Sequence, residues 1–286
     1  MPLENTSARP LDMTTDGSPI GQAQPLILVT NDDGVYSPGI LALKDGLEQV
    51  GRVVVMAPDR NRTAAGHNKT MHKPLRVQRV TLSDGSRAFA CSGSPSDAVA
   101  LALLGLLPRK ADLVVSGINH GANLGHDVTY SGTVAAAMEG VIFDVPSIAV
   151  SVDTWQRFDG AALAAAADFA ATVARQVLAH GLPRGVLLNV NVPNLPRAEI
   201  NGVQITRLGT RVYLDELVER IDPRGRPYYW IGGEAPTGEP SAGTDVGALK
   251  QGAISVTPIH LDMTEYHVLD RLRDWNLSLD LGQEPA

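Results

Sequence analysis

A single cysteine, Cys91, in a chain of 286 residues excludes an internal disulfide framework and fits a reducing compartment. Its expected role is that of a small buried side chain. No run reaches the roughly 20 apolar residues needed to cross a bilayer, so no membrane association is expected. Residues 1–24 are polar, carry Glu4 and Asp12, and lack the apolar core of an export signal. They are read as an extension outside the chemistry, and the cytoplasm is the expected location. Positive charge is also short: 24 Lys and Arg against 31 Asp and Glu give a net charge of −7, which argues against a broad nucleic-acid surface or duplex binding. No Cys-x-x-Cys or His-Glu-x-x-His occurs, which removes the usual zinc sites. Gly-x-Gly-x-x-Gly after the first strand, Gly-x-x-x-x-Gly-Lys-Ser/Thr and Gly-x-Ser-x-Gly are likewise missing, which removes the common dinucleotide, P-loop and serine-hydrolase readings.

What is present is an alternation of apolar strands and amphipathic helices. Pro25–Thr30, Val53–Met56, Asp112–Ser116, Pro146–Ser151 and Val186–Val192 read as strands buried on both faces. Helices are predicted over Pro38–Val50, from Pro95 through Leu104, over Ser131–Phe143 and over Gly160–His180, with further strand-like pieces at Leu75–Val80 and Ala88–Cys91. Ser94-Pro95-Ser96-Asp97 combines a serine N-cap, a proline at the first helical position and an acid at the third. This order implies a mostly parallel sheet with helices on both sides, a three-layer α/β/α core over residues 25–202. Beyond about Val203 the helices largely stop, and strand-like pieces at Val203–Arg207, Pro227–Trp230 and Ala253–Ile259 suggest a smaller β-rich appendage over 203–286, read as an oligomerisation region.

In a parallel sheet, ligands collect beyond the carboxyl ends of the strands. Those ends carry Asn31-Asp32-Asp33-Gly34, the loop from Asp59 to Thr70, and Ser116-Gly117-Ile118-Asn119. Two adjacent aspartates at a strand end repel each other and call for a cation or strong donors nearby. With carboxylates, hydroxyls and amides on offer, the fitting ions are Mg²⁺, Mn²⁺ or Ca²⁺. The segment Asp59–Arg76 holds Arg60, Arg62, Lys69, Lys73 and Arg76 with His67 and His72, a basic patch suited to an anionic small molecule or to plain solvation. Thr129-Tyr130-Ser131-Gly132-Thr133 runs from a Gly/Asn-rich loop into a helix, so its free N–H groups and hydroxyls suit a phosphate. Gly66 and His67 offer backbone donors or a proton carrier to the same ligand.

Taken together, these segments resemble the SurE survival proteins, metal-dependent nucleotidases acting on nucleoside 5′- and 3′-monophosphates. The matching stretches are Ile27–Gly34, Ala57–Arg62, Gly93–Asp97, Val115–Asn119 with Gly121, Asn123 and Gly125, Ser131–Ala135, and Ser255–Asp262. They cover the chain from about residue 25 to 265. The resemblance implies a Rossmann-like core, one divalent cation per subunit, a homodimer or homotetramer, and a C-terminal arm exchanged between subunits. It also implies a metal site made of two aspartates, a hydroxyl and an amide, which fall on Asp32, Asp33, Thr63 and Asn119. Threonine at 63 replaces the family's usual serine, keeping the hydroxyl while adding a methyl and stiffening χ1. Asn68 stands where a serine or threonine is common.

The resulting expectation is metal-assisted hydrolysis of nucleoside monophosphates or other small phosphoesters. Asp32 or Asp33 accepts a proton from water or attacks directly, while Ser131, Gly132 and Thr133 steady the phosphate oxygens. Two rivals are weighed against it. A receiver-like signalling domain needs a phospho-accepting aspartate at a middle strand end, where this chain has Ser116 and Asn119. A non-catalytic nucleotide binder has only Thr63 to suggest it.

Overall fold

The computed structural model describes residues 24–154, 160–212, 215–233, 237–275 and 277, so the N-terminal extension expected over 1–24 lies almost wholly outside them. The first strand, β1 (Leu26–Thr30), is buried at every position, as its unbroken apolar run requires. The helix α1 (Pro38–Leu47) follows, with Ser37 as N-cap accepting from the Ile40 amide and Pro38 in its first turn. Next come β2 (Arg52–Pro58), β3 (Val77–Thr81), β4 (Arg87–Cys91) and α2 (Pro95–Leu101). Ser94 and Asp97 form a complete capping box at the start of α2. The helix predicted through Leu104 stops earlier, passing into a single π-helical turn at Ala102–Leu106 in which Gly105 adopts φ +138.

The strand β5 (Leu113–His120) runs further than expected, carrying through Gly117 and Asn119, which read as loop in the sequence. Its pairing with β6 (Ser147–Asp153) shifts register between Ser116 and Asn119. A 3₁₀ turn and α3 (Gly132–Ile142) connect β5 to β6. The long helix α4 (Gly160–His180) leads to β7 (Val186–Pro193). By length and composition α4 does qualify to cross a bilayer, contrary to the expectation above. Its alanine face instead packs into the main core with Ile40, Leu43 and Leu47 of α1, so its apolar character is that of a core helix.

The C-terminal third adds β8 (Val203–Ile205), β9 (Arg211–Val212), β10 (Asp215–Ile221), β11 (Pro227–Gly233), β12 (Thr237–Gly238), α5 (Asp245–Lys250), β13 (Ile254–His260) and α6 (Tyr266–Arg273). The central sheet has nine strands in the order β3-β4-β2-β1-β5-β6-β7-β13-β8. From β4 through β7 all neighbours are parallel, while β3 and β13 pair antiparallel to β4 and β7. Two strands of the region read as an appendage therefore extend the main sheet. Among the described residues, β10–β11 and β9–β12 form separate two-stranded ribbons. The order reverses at β1: the chain builds outward through β2, then returns to lay β5 on the other side. Ligands are favoured at such a reversal.

Candidate active site

Asp32 and Asp33 leave the end of β1 at this reversal. Asn31 shapes the turn, its side chain accepting from the Gly34 amide and donating to the Gly34 carbonyl and the Ser37 hydroxyl. The Asp32 side chain is buried, and its Oδ1 accepts from the Thr133 hydroxyl at 2.5 Å. Burial pushes its carboxyl up to about 6, with the charge of Asp33 adding to the effect and the Thr133 hydroxyl opposing it. Burial also raises the Asp33 carboxyl, against the His120 N–H that donates to its Oδ2 at 3.2 Å.

The other two expected ligands arrive on neighbouring segments. The Arg62 amide donates to the Asp32 carbonyl at 2.7 Å, which ties the residue next to Thr63 to the aspartate turn. Thr63 is exposed, and both its amide and its hydroxyl donate to Asn61 Oδ1, at 2.7 and 2.6 Å. That bond uses the hydroxyl proton and leaves the oxygen lone pairs free. Asn119 is nearly buried and donates its amide N–H to the Gly121 carbonyl at 2.7 Å, which orients its carbonyl oxygen as the free end. Each aspartate thus touches a residue adjacent in sequence to one of the other two expected ligands.

The helix α3 brings its N-terminus against Asp32. Ser131 caps it, accepting from the Val134 amide. Among the described residues the amides of Gly132 and Thr133 have no acceptor, as first-turn amides do not within a helix. Gly132 is needed for closeness: a Cβ there would stand 2.7 Å from the Asp32 Cβ. Gly39 serves likewise on α1, where a Cβ would fall 2.0 Å from the Ile118 carbonyl oxygen. Gly66 and His67, expected to serve the ligand, have partners within the protein. The Gly66 amide donates to the Tyr130 carbonyl, and His67 Nε2 lies 2.9 Å from Glu139 Oε2.

Several residues that build the site escaped sequence reasoning. Asn61 holds Thr63, and Asp97 accepts from both the amide and the hydroxyl of Thr70. Asn189 and Asn191 both donate to the Asn123 carbonyl from the floor of the sheet, while the Asn123 side chain donates to Ser151. Asp245, fully buried, accepts from the amides of Gly125 and Gly209. Acids and asparagines inside apolar segments were the available signal, since a buried polar group must find a partner.

Two partly desolvated carboxylates with no lysine or arginine paired to them, among the described residues, constitute an uncompensated charge. Among the described residues the side-chain donor to Asp32 is Thr133, and the His120 amide donates to Asp33. No cluster of three His, Cys, Asp or Glu side chains exists among those residues, so a cation here must take neutral oxygens as well. The hydroxyl of Thr63 and the amide oxygen of Asn119 are of that kind. The residues fit a hard divalent ion.

The fold and this rim define an α/β protein whose paired aspartates lie beside a helix N-terminus at the sheet's reversal point. The chain belongs to the family described as Survival protein SurE, which it matches over residues 27–215. It is 55% identical over 253 residues to the 5′-nucleotidase SurE of Herpetosiphon aurantiacus, covering 87% of this chain and 98% of that one. With the 5′-nucleotidase SurE of Chloroflexus aggregans it shares 54% over 252 residues, covering 87% and 98%. The crystal structure of the SurE protein from Aquifex aeolicus superposes with a TM-score of 0.74 at 42% identity, covering 88% of this chain and 99% of that one.

Proposed function

We propose that the chain is a divalent-cation-dependent phosphomonoesterase that hydrolyses nucleoside 5′-monophosphates to nucleoside and phosphate, with 3′-monophosphates as further candidate substrates. The observation that carries this reading is the buried Asp32 carboxylate, with Asp33 next to it in the chain, set against the helix start that holds the unsatisfied amides of Gly132 and Thr133. One face suits a cation and the other suits the anionic oxygens of a phosphoryl group.

Asp32, Asp33, Thr63 and Asn119 would hold one Mg²⁺ or Mn²⁺ ion, which supplies Lewis-acid polarisation of the phosphoryl group. The amides of Gly132 and Thr133 and the Ser131 hydroxyl hold the remaining phosphoryl oxygens as charge develops on them. Thr133 also donates to Asp32 and so fixes that carboxylate's orientation. Asp33, the more exposed of the two acids, accepts the proton of the attacking water. The functional division we favour is an extension over 1–24, a catalytic core over 25–202 and an assembly region over 203–286 that forms a homodimer or homotetramer. The cytoplasm is the compartment we assign, supported by a lone, buried, unpaired Cys91.

The test is phosphate release from a panel of nucleoside monophosphates with Mg²⁺, Mn²⁺ or chelator. Asp32→Asn is expected to lower turnover by at least about 100-fold, the scale of lost electrostatic and base catalysis. Intact nucleotides after incubation with every cation would sink the reading.

A further inference from the structure

Glu139 is the one charged residue of α3, and its side chain has no exposure to solvent. Its Oε2 lies 2.9 Å from His67 Nε2 and its Oε1 lies 2.7 Å from Lys69 Nζ. The Lys69 ammonium also stands 5.6 Å from the centre of the Phe143 ring. Burial pushes the Glu139 carboxyl up, but hydrogen bonds from His67 and Lys69 outweigh it, and the group titrates below the usual glutamate range. Two of the basic side chains that the sequence offers to an anionic ligand are therefore engaged by the protein itself.

The segment they belong to is tethered along its length. Arg62 donates to the Asp32 and Ser92 carbonyls, Gly66 to the Tyr130 carbonyl and Thr70 to Asp97, while the Ser94 hydroxyl donates to the Asn68 carbonyl. Among the described residues the Glu139 contacts join it to the interior of α3, whose first turn meets Asp32. A buried ion pair is a poor source of stability compared with well-packed apolar groups, yet it is directional and tolerates little displacement.

We propose that Glu139 is a positioning residue which, through His67 and Lys69, fixes the 61–70 segment against α3 and thereby sets where Thr63 stands relative to Asp32 and Asp33. This rests on the phosphomonoesterase reading for its catalytic consequence, though not for its structural one. Replacing the carboxylate frees the segment without touching any group that meets substrate.

The experiment compares wild type with Glu139→Gln and Glu139→Asp by hydrogen exchange, by Mn²⁺-dependent thermal shift and by steady-state kinetics on a nucleoside monophosphate. In Glu139→Gln, exchange is expected to accelerate in peptides spanning 61–70 while the central strands keep their protection. The Mn²⁺ concentration for half-maximal thermal shift and the KM are each expected to rise by about 10-fold, the usual effect of removing a group that orients a ligand, with kcat changed by less than about 3-fold. Glu139→Asp should recover part of each. Should Glu139→Gln fail to fold, Lys69→Gln, at a half-exposed position, must show the same pattern in weaker form. Unchanged exchange in 61–70, or loosening spread evenly through the sheet, would overturn the assignment. A wild type that hydrolyses nothing counts against the proposed activity alone, because exchange and Mn²⁺ response still report the positioning.

Discussion

Asp32 concentrates the energetics of the rim in one side chain. Its carboxyl titrates at about 6 in the fold against 3.8 as a free side chain. Between those values the folded chain holds a proton that the unfolded chain has released, so cation-free stability falls as pH rises through this window, by at most about 3 kcal/mol. A divalent ion displaces that proton. Its stabilising thermal shift should therefore be larger at about pH 8 than at about pH 5; an equal shift at both would detach Asp32 from the ion. Glu139 has the opposite sign. Its lowered pKa contributes stability above the ordinary glutamate value, lost as pH falls through the value it has in the fold. Gly132→Ala tests closeness rather than charge. Alanine favours a helix by up to about 1 kcal/mol, yet its methyl would press on Asp32, so Mn²⁺ affinity and turnover should each fall by about 10-fold with little change in thermal stability.

Helices and strands with long apolar runs were readable from the sequence because their burial pattern is also their sequence pattern. Strands β1, β2, β6 and β7 and helices α1, α3 and α4 lie where hydrophobic periodicity puts them. Other elements were not readable. The end of β5 looks like loop because glycine and asparagine are poor strand formers, and its pairing with β6 is supplied by tertiary context. The short helix α5 is built on Thr244 as N-cap, and its carboxylate Asp245 bridges distant backbone, a role no local pattern encodes. The aspartate turn and the Ser131–Thr133 helix start were visible as motifs. Asp97 was visible as a capping acid but its hold on Thr70 was not, and Glu139 was not visible at all, because these contacts span gaps of 27 and 72 positions. Asp245→Ala removes the acceptor for the amides of Gly125, Gly209 and Val246. A loss of about 3 kcal/mol is expected, at roughly 1–3 kcal/mol for each buried amide left unpaired, some of it recovered by water. Urea unfolding midpoints measure it.

At the scale of the whole molecule, one ribbon among the described residues exposes large apolar side chains. β10 and β11 pair only with each other, and Leu217, Trp230 and Ile231 stand 72%, 64% and 84% exposed. An isolated two-stranded hairpin is marginal in water, and an apolar one invites a partner. This supports the assembly region proposed above. Light scattering should report a mass above that of one chain at micromolar concentration, and Leu217→Ser with Trp230→Ser should lower it. A wild-type mass equal to one chain would remove assembly from the account.

The buried Asp245 carboxylate has a consequence for how the protein comes into being. It joins backbone from residues 125, 209 and 246, and β13, which follows it, is an interior strand of the central sheet. On the ribosome, the loop leading into α3 therefore waits for 120 further residues, from Gly125 to Asp245, before this anchor exists. A nascent chain that has already exposed both aspartates therefore still lacks this hold on the loop beside them.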